Sequence, residues 1–509
     1  GKTAVLVERM IHKILEDGVD IDRILVVTFT NAAASEMRER ILDAIYQKME
    51  EEPENRNLQK QITLLNKASI CTIHSFCLEV IRNHFYEIDT SANFRIADTA
   101  EIDLLSYETM EEVLEEQYET KSPAFLNLLE MYTSYRDDML LQELILKIHK
   151  FIQSMPFPEE WLEAQVEQLS FPDTKDFGET GWGNILLEYG KDNLSDRIRN
   201  LEHFIQKMAL EPELEKFQAC LEQDLHMYEE GKEAMTSWQT ASQWARQTEW
   251  KKWPVDKKVS NPLKEEAKDL RDQVKKQIKT MLEKVFFVTN EQIAEDLNAM
   301  YAPICALKDL VFQFEKRFAD KKKEKNMVDF SDIEHFALQI LVRKEGDKIV
   351  PTDVAKQYQE KFAEVAIDEY QDSNLVQEYI LQSVSKDNNR FMVGDVKQSI
   401  YKFRQARPEL FLEKYRCYGE AENESGKRIQ LFKNFRSRDN ILQVTNCVFE
   451  AIMSEKLGEM EYNESEYLNL GADYKEKKEV TDQDFLSRKS ASRFFTRNEN
   501  RNCRIRKAK

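Results

Sequence analysis

Short apolar, β-branched runs stand out in this chain against long amphipathic segments. Residues 23–30 read RILVVTFT, a run that suits a strand buried on both faces in a parallel sheet. Behind it, Ala33, Met37, Ile41 and Ile45 recur at helical spacing and predict a helix over residues 31–49. SICTIHSF (69–76) predicts a second short strand running into a helix through Arg82. Strand character returns much later, in FAEVAIDEY (362–370) and RFMVGD (390–395), and both runs end in acidic residues. RIQLFKNF (428–435) predicts a further strand, followed by a helix from Arg438 to about Met453. Between Glu101 and Lys325 the pattern differs. Stretches such as IDLLSYETMEEVLEEQY have helical spacing and acidic faces, and nothing there looks like a catalytic motif. All six tryptophans lie in this stretch, between Trp161 and Trp253, and are expected to pack rather than to form a stacking platform. Strand, helical insertion, strand is the pattern of an α/β domain interrupted by a helical one.

Composition supports that reading. The 509 residues exceed one core, and about 150 residues per domain suggests about three domains. Hydrophobic residues make up 41% and charged residues 33%, while glycine (13) and proline (11) are scarce, which favours long helices. The formal net charge of −20 argues against a nucleic-acid binder taken as an average, but one channel can be basic and aromatic in an acidic protein. The seven cysteines are scattered, show no CxxC, and read as reduced thiols. Cys71 and Cys77 flank His74, but without a second ligand pair they are not expected to hold a metal. No run of about 18 apolar residues is present, so the expected location is cytoplasmic. The first residue is Gly1 and not methionine, so the natural start is expected upstream.

The far end departs from the rest. From Arg488 to Lys509 nine Lys or Arg face one acid, Glu499, and no hydrophobic period survives. Two readings stay open for this anomalous segment: a basic nucleic-acid-binding tail, or translation in a shifted frame after about Asp473.

The candidate chemistry sits at the ends of the predicted strands. The chain opens Gly1-Lys2-Thr3, the last three positions of a phosphate-binding loop of the form G-x-x-x-x-G-K-[ST]. In such a loop the lysine reaches the β- and γ-phosphates and the threonine hydroxyl ligates Mg²⁺. A bare GKT is common by chance; its place shortly before a buried strand strengthens it. Val365-Ala366-Ile367-Asp368-Glu369 delivers two carboxylates at the carboxyl end of a strand, where ligands collect in open α/β sheets. Asp368 suits a Mg²⁺ site and Glu369 a general base for an attacking water. The alternative is a strand-terminating acidic turn.

Asp-Glu-Tyr-Gln-Asp (368–372) resembles the second motif of the UvrD/Rep-like superfamily 1 helicases, and Gly394-Asp-Val-Lys-Gln-Ser-Ile-Tyr-Lys-Phe-Arg404 resembles their third. Asn434-Phe435-Arg436-Ser437 resembles the fourth, Val27–Ala34 motif Ia, and Thr72–Cys77 motif Ib. Within that superfamily, IHKFIQSMPFPEEWL (148–162), VDFSDIEHFALQIL (328–341), GKTAVLVERMI and the long acidic insertion resemble the AddA chains of helicase–nucleases.

The resemblance implies an α/β fold: a RecA-like P-loop motor domain with a parallel sheet, interrupted by a large helical insertion, and the start of a second RecA-like domain. The boundaries would be 1–100 and 326–415 for the first motor domain, 101–325 for the insertion, 416–473 for the second domain and 474–509 for the tail. It implies ATP and Mg²⁺ as cofactors. Gly1, Lys2 and Thr3 would hold phosphate, Thr3 and Asp368 the metal. Glu369 would be the base, Gln398 the γ-phosphate sensor and Arg436 an arginine finger. Phe435 would stack on adenine, with Arg404 also on the nucleotide-binding side. Phe29, Tyr401 and Phe403 would stack on bases of single-stranded DNA, with Thr30 beside them, because aromatic stacking is sequence-tolerant. Arg404 and Lys402 interleave with those rings as a local basic patch. Two residues keep a second reading: Phe29 as a core side chain, and His74 as a structural histidine rather than a DNA-backbone contact.

By the same resemblance the activity would be that of an ATP-dependent DNA helicase in double-strand-break repair. DNA ends and an AddB-type chain would be the partners, and a nuclease domain would lie elsewhere in the parent. The first half of the phosphate loop, the later motor motifs and the nuclease domain are absent, so this stretch alone is expected to be an incomplete ATPase. The alternatives are a UvrD-like helicase without nuclease, a P-loop ATPase with no DNA role, and a non-catalytic DNA-binding remnant.

Overall fold

The computed structural model describes residues 1–472 and 474, apart from 89, 92, 133–137, 173–174, 347 and 420–425; the anomalous basic tail falls outside the described residues. Two compact units emerge, one built from Gly1–Thr72, Lys361–Ser373 and Ser385–Lys509, the other from Ile73–Glu360 and Asn374–Val384.

The first unit is a mixed α/β body around a four-stranded parallel sheet. Its strands are β1 (Ile24–Thr28), β2 (Ser69–Thr72), β3 (Glu364–Ile367) and β4 (Arg390–Met392), in the spatial order β2-β1-β3-β4. Leu25 pairs with Ser69 and with Val365, and Val365 with Arg390, so β1 and β3 are central and buried throughout. That burial on both faces is why their sequences read as unbroken apolar runs. The helix Asn31–Glu51 turns Ala34, Met37, Ile41 and Ile45 onto the sheet, and the opening helix Lys2–Leu15 adds Leu6, Val7, Met10 and Ile14 to the same core. Arg9, two turns into the opening helix, grips the Glu364 carboxylate with Nε and Nη2 at 2.5 and 3.0 Å. Glu364 begins β3, so this fork fixes the helix against the strand and leaves Lys2 and Thr3 at the strand's carboxyl end.

One expected strand contracts. Of residues 428–435 only β5 (Lys433–Asn434) is extended and paired, with β6 (Asn469–Leu470), in parallel. Ile429, Leu431 and Phe432 are exposed. Besides β6, the segment's backbone is met at its start, where the Arg428 amide donates to the Gly419 carbonyl at 2.7 Å, and an apolar alternation becomes strand only where a neighbour satisfies its N–H and C=O groups. The helix after it forms at Asp439–Ile452.

The second unit is almost wholly helical, with two small strand pairs, Arg95–Ile96 with Met327–Val328 and Val342–Glu345 with Lys348–Pro351. The 35-residue helix Asn290–Glu324 threads both of its cores. Ile293 and Ala294 pack into the core around Trp238, Phe217 and Phe286, and Leu307, Val311 and Phe314 into the core around Leu105, Phe125 and Leu141. Trp238 is buried and Trp244, Trp250 and Trp253 pack against its core, in line with the packing role expected of the tryptophans. No described helix is long and apolar enough to cross a membrane.

Candidate functional site

In the first unit, chain ends and strand ends meet at one point. Gly1 caps the opening helix, its carbonyl accepting from the Ala4 and Val5 amides at 3.1 and 3.2 Å. Lys2 and Thr3 therefore stand on the first turn of a 14-residue helix, where unpaired amides and the helix dipole favour an anion. Lys2 Nζ donates to Glu369 Oε2 at 2.9 Å and to Gln398 Oε1 at 3.1 Å. Thr3 Oγ1 donates to Asp368 Oδ2 at 3.1 Å.

Both carboxylates leave the end of β3 in a tight turn. Asp368 continues the sheet, its amide donating to the Val27 carbonyl at 2.9 Å. Glu369 then adopts φ 53°, ψ 45°, a left-handed conformation that costs a non-glycine residue energy and persists only where its surroundings dictate it. The turn aims the Glu369 side chain back at Lys2. Burial and the adjacent Glu369 charge push the Asp368 carboxyl up, with Thr3 and Lys2 opposing. Burial also pushes Glu369 up, but the bond from Gln371, the Lys2 ammonium and the charge of Arg436 outweigh it, and Glu369 lies below the usual carboxylate range. Glu369 is therefore ionised at neutral pH, as a general base must be. Burial and the Glu369 charge raise Asp372, further round the turn, to about 6.

The loop after β4 closes the cluster. Gln398 Nε2 donates to Asp395 Oδ2 at 2.8 Å, and the Asp395 amide donates to Gln371 Oε1 at 3.0 Å. Lys397 is drawn to the other side, pairing with Asp395 at 3.2 Å and with Glu466 at 2.8 Å. Past Gln398, the aromatic residues form a run. Phe29 and Tyr401 have ring centroids 4.8 Å apart, and Tyr401 and Phe403 5.8 Å apart. Arg404 lies over the rings of Tyr401 and Phe403, at 5.2 and 5.7 Å. Phe29 is 41% and Phe403 73% exposed, so both are surface rings and not core. Thr30 is engaged as the N-cap of helix Asn31–Glu51, its hydroxyl accepting from the Ala33 amide at 3.1 Å.

The remaining expected residues are placed differently. Phe435 is exposed, and the Asn434 side chain just before it accepts from the amides of Arg436 and Ser437 at 2.9 Å each, which shapes that turn. Arg404 sits with the aromatic run. Lys402 is paired with Glu459 at 2.9 Å, so its charge is partly cancelled and Arg404 is left as the cation over the rings. His74 belongs to the helical unit, where its Nε2 meets the buried Glu334 carboxylate at 3.1 Å; Asn374 and Gln377 donate to the same carboxylate. Sequence reasoning gave no role to Gln371, although it stands inside the DEYQD string, nor to Asp395 or Glu466, which meet the site only through folding.

The donor set fits Mg²⁺. Thr3 Oγ1 and Asp368 place two hard oxygens together. A sparse protein contribution suits Mg²⁺, which keeps waters and takes substrate phosphates as ligands.

Residues 1–419 match the family model of the UvrD/REP helicase N-terminal domain. Curated relatives named as the A subunit of an ATP-dependent helicase/nuclease include those of Acetivibrio thermocellus (46% identical, 94% of this chain and 40% of the relative), Ruminiclostridium cellulolyticum (46%; 93% and 39%) and Clostridioides difficile (44%; 93% and 38%). The chain thus spans about 40% of the length of the relatives it matches.

Proposed function

We propose that this chain, which belongs to the UvrD/REP helicase family, is the ATP-driven DNA-translocating part of a helicase–nuclease that acts at double-strand breaks. The observation that carries the reading is the meeting of Lys2, Thr3, Asp368, Glu369 and Gln398 within hydrogen-bond reach across more than 360 positions of sequence. On this reading Lys2 and the helix amides bind the nucleotide phosphates, Thr3 and Asp368 hold Mg²⁺, and Glu369 orients and deprotonates the attacking water. Bound Mg²⁺ supplies neutralisation of the charge that develops on the transferring phosphoryl group. Gln398 senses the γ-phosphate, Arg436 is the arginine finger, and Phe435 stacks on the base of the nucleotide, with Arg404 available to nucleotide or DNA. The run Phe29–Tyr401–Phe403, with Thr30 at its edge, stacks on single-stranded DNA, and His74 contacts the DNA backbone. Gln398 lies in the same short loop as Tyr401 and Phe403, which gives nucleotide state a direct route to the DNA-binding rings.

Residues 1–100 and 326–415 are read as a RecA-like motor domain around the 101–325 helical insertion, and 416–473 as the start of a second. The nuclease domain and an AddB-type partner belong to the whole protein, acting on DNA ends in the cytoplasm. The relatives' names, which join helicase and nuclease, support both activities for the parent.

The test is Glu369→Gln in the full-length protein containing this chain. Turnover of ATP should be abolished while nucleotide binding is retained. Surviving turnover would remove Glu369 as the base, and a wild type whose hydrolysis ignores single-stranded DNA would remove the translocase.

A further inference from the structure

The residues of the candidate site form a closed circuit of hydrogen bonds, and two members, Gln371 and Asp395, have no part in the roles above. Glu369 Oε2 receives from Lys2 Nζ at 2.9 Å and from Gln371 Nε2 at 2.8 Å. Gln371 Oε1 receives from the Asp395 amide at 3.0 Å, Asp395 Oδ2 from Gln398 Nε2 at 2.8 Å, and Gln398 Oε1 from Lys2 Nζ at 3.1 Å. The circuit runs Glu369, Gln371, Asp395, Gln398, Lys2 and back to Glu369.

Gln371 is 1% exposed and every hydrogen-bonding group of its amide is engaged, since Nε2 also donates to Asp372 Oδ2 at 3.1 Å. Its orientation is fixed by the chemistry of its neighbours. A flipped amide would turn NH2 onto the Asp395 N–H and oxygen onto two carboxylates. The loop after β4 is built to come this close: a Cβ on Gly394 would lie 2.7 Å from Gln371 Oε1 and 2.8 Å from the Phe411 ring. The two donors to Glu369 differ in kind. Lys2 is the ammonium that phosphate would compete for; Gln371 is neutral, buried and held at its far end by backbone.

We propose that Gln371 is the positioning residue that keeps the Glu369 carboxylate aimed while Lys2 turns to the nucleotide, and that it ties the carboxylate to the Asp395–Gln398 loop. The inference rests on the nucleotide-hydrolysis reading above. When Lys2 leaves Glu369 for phosphate, Gln371 alone continues to satisfy Oε2, and the left-handed turn at Glu369 stays determined. Any shift of the Asp395–Gln398 loop is passed to Glu369 through one rigid amide.

The experiment uses the full-length protein with Gln371→Glu and Gln371→Met. Gln371→Glu keeps the shape and the acceptor for the Asp395 amide but replaces the donor to Glu369 with a like charge; it serves if the methionine variant does not fold. Expected is a fall in kcat for DNA-stimulated ATP hydrolysis of about 10²-fold, with the Kd for a fluorescent ATP analogue within about threefold. A wild-type kcat in both variants, or a Kd that falls away in step with kcat, would overturn the inference alone. A wild type that does not hydrolyse ATP would overturn the underlying reading, and this inference with it.

Discussion

In the helical unit, Arg271 and Asp224 face each other, each side chain 4% exposed, with Nε to Oδ2 at 2.6 Å and Nη2 also reaching the Lys251 carbonyl at 2.7 Å. In the sheet unit, Asp368 and Glu369 stand side by side, with Asp372 close by, and Lys2 is shared between a carboxylate and an amide. The Arg271–Asp224 pair matches one buried charge with another, and such a pair holds a fold. In the sheet unit like charges are pressed together around one cation that phosphate can recruit, which perturbs their proton affinities. Perturbed carboxylates in a cluster mark chemistry more often than architecture. The contrast predicts that removing a matched charge such as Asp224 should harm the fold, and that removing one of the crowded carboxylates of the site should relieve it.

The largest effect should come from Asp224→Ala. It strands the Arg271 guanidinium in a buried site, which costs about 3–5 kcal/mol when a partner is removed. All six tryptophans lie between Trp161 and Trp253, inside the helical unit, so tryptophan fluorescence during urea unfolding reads that unit selectively. The midpoint should fall sharply while ATP affinity at low temperature is unchanged. An unmoved midpoint would mean that this pair is not structural and that the contrast fails on its helical side.

Next comes Phe403→Ala. A ring 73% exposed contributes little to folding, so its loss should appear only in binding. Aromatic stacking is worth about 1–3 kcal/mol per base, or about 5- to 150-fold in Kd for single-stranded DNA. The salt slope of binding should not change, because no phosphate contact is removed. Equal affinity of variant and wild type across salt would take Phe403 out of the track.

The two units were unequally legible in sequence. β1 and β3 declared themselves because a strand buried on both faces is an unbroken apolar run, and Asp368 and Glu369 followed from where such a run ends. The helical unit showed its period, but Arg271 sits in a helix rich in charge and reads as solvent-facing; only folding brings Asp224 to it from another helix. Gln371 was visible and silent for the same reason, since its role depends on the Asp395 amide, 24 positions on. The run at 428–435 misled in the opposite direction. Its apolar spacing is strand-like, but pairing is a property of two segments, and β6 offers only Asn469 and Leu470. Lys402 looked like part of a basic patch until the fold set Glu459 against it.

The smallest and most discriminating test is Asp372→Asn. Burial first, and then the charge of Glu369, raise the Asp372 carboxyl to about 6, against the hydrogen bond from Gln371 and the pull of Lys2. A carboxyl raised in the folded state favours its protonated form there. Its contribution to stability is fully present below the ordinary carboxylate pKa of about 3.9 and is lost as pH rises through about 6. Above pH 7 the wild type therefore holds a poorly solvated charge beside Glu369. Asparagine keeps the shape and the acceptor for Gln371 without that charge. By calorimetry, the variant should melt about 2–4 °C higher than wild type at pH 8, and the advantage should shrink as pH falls from 6 towards 4. A variant less stable than wild type at pH 8 would place Asp372 with Asp224 as a matched structural charge, and the division of the molecule into a charge-matched body and a charge-strained site would no longer hold.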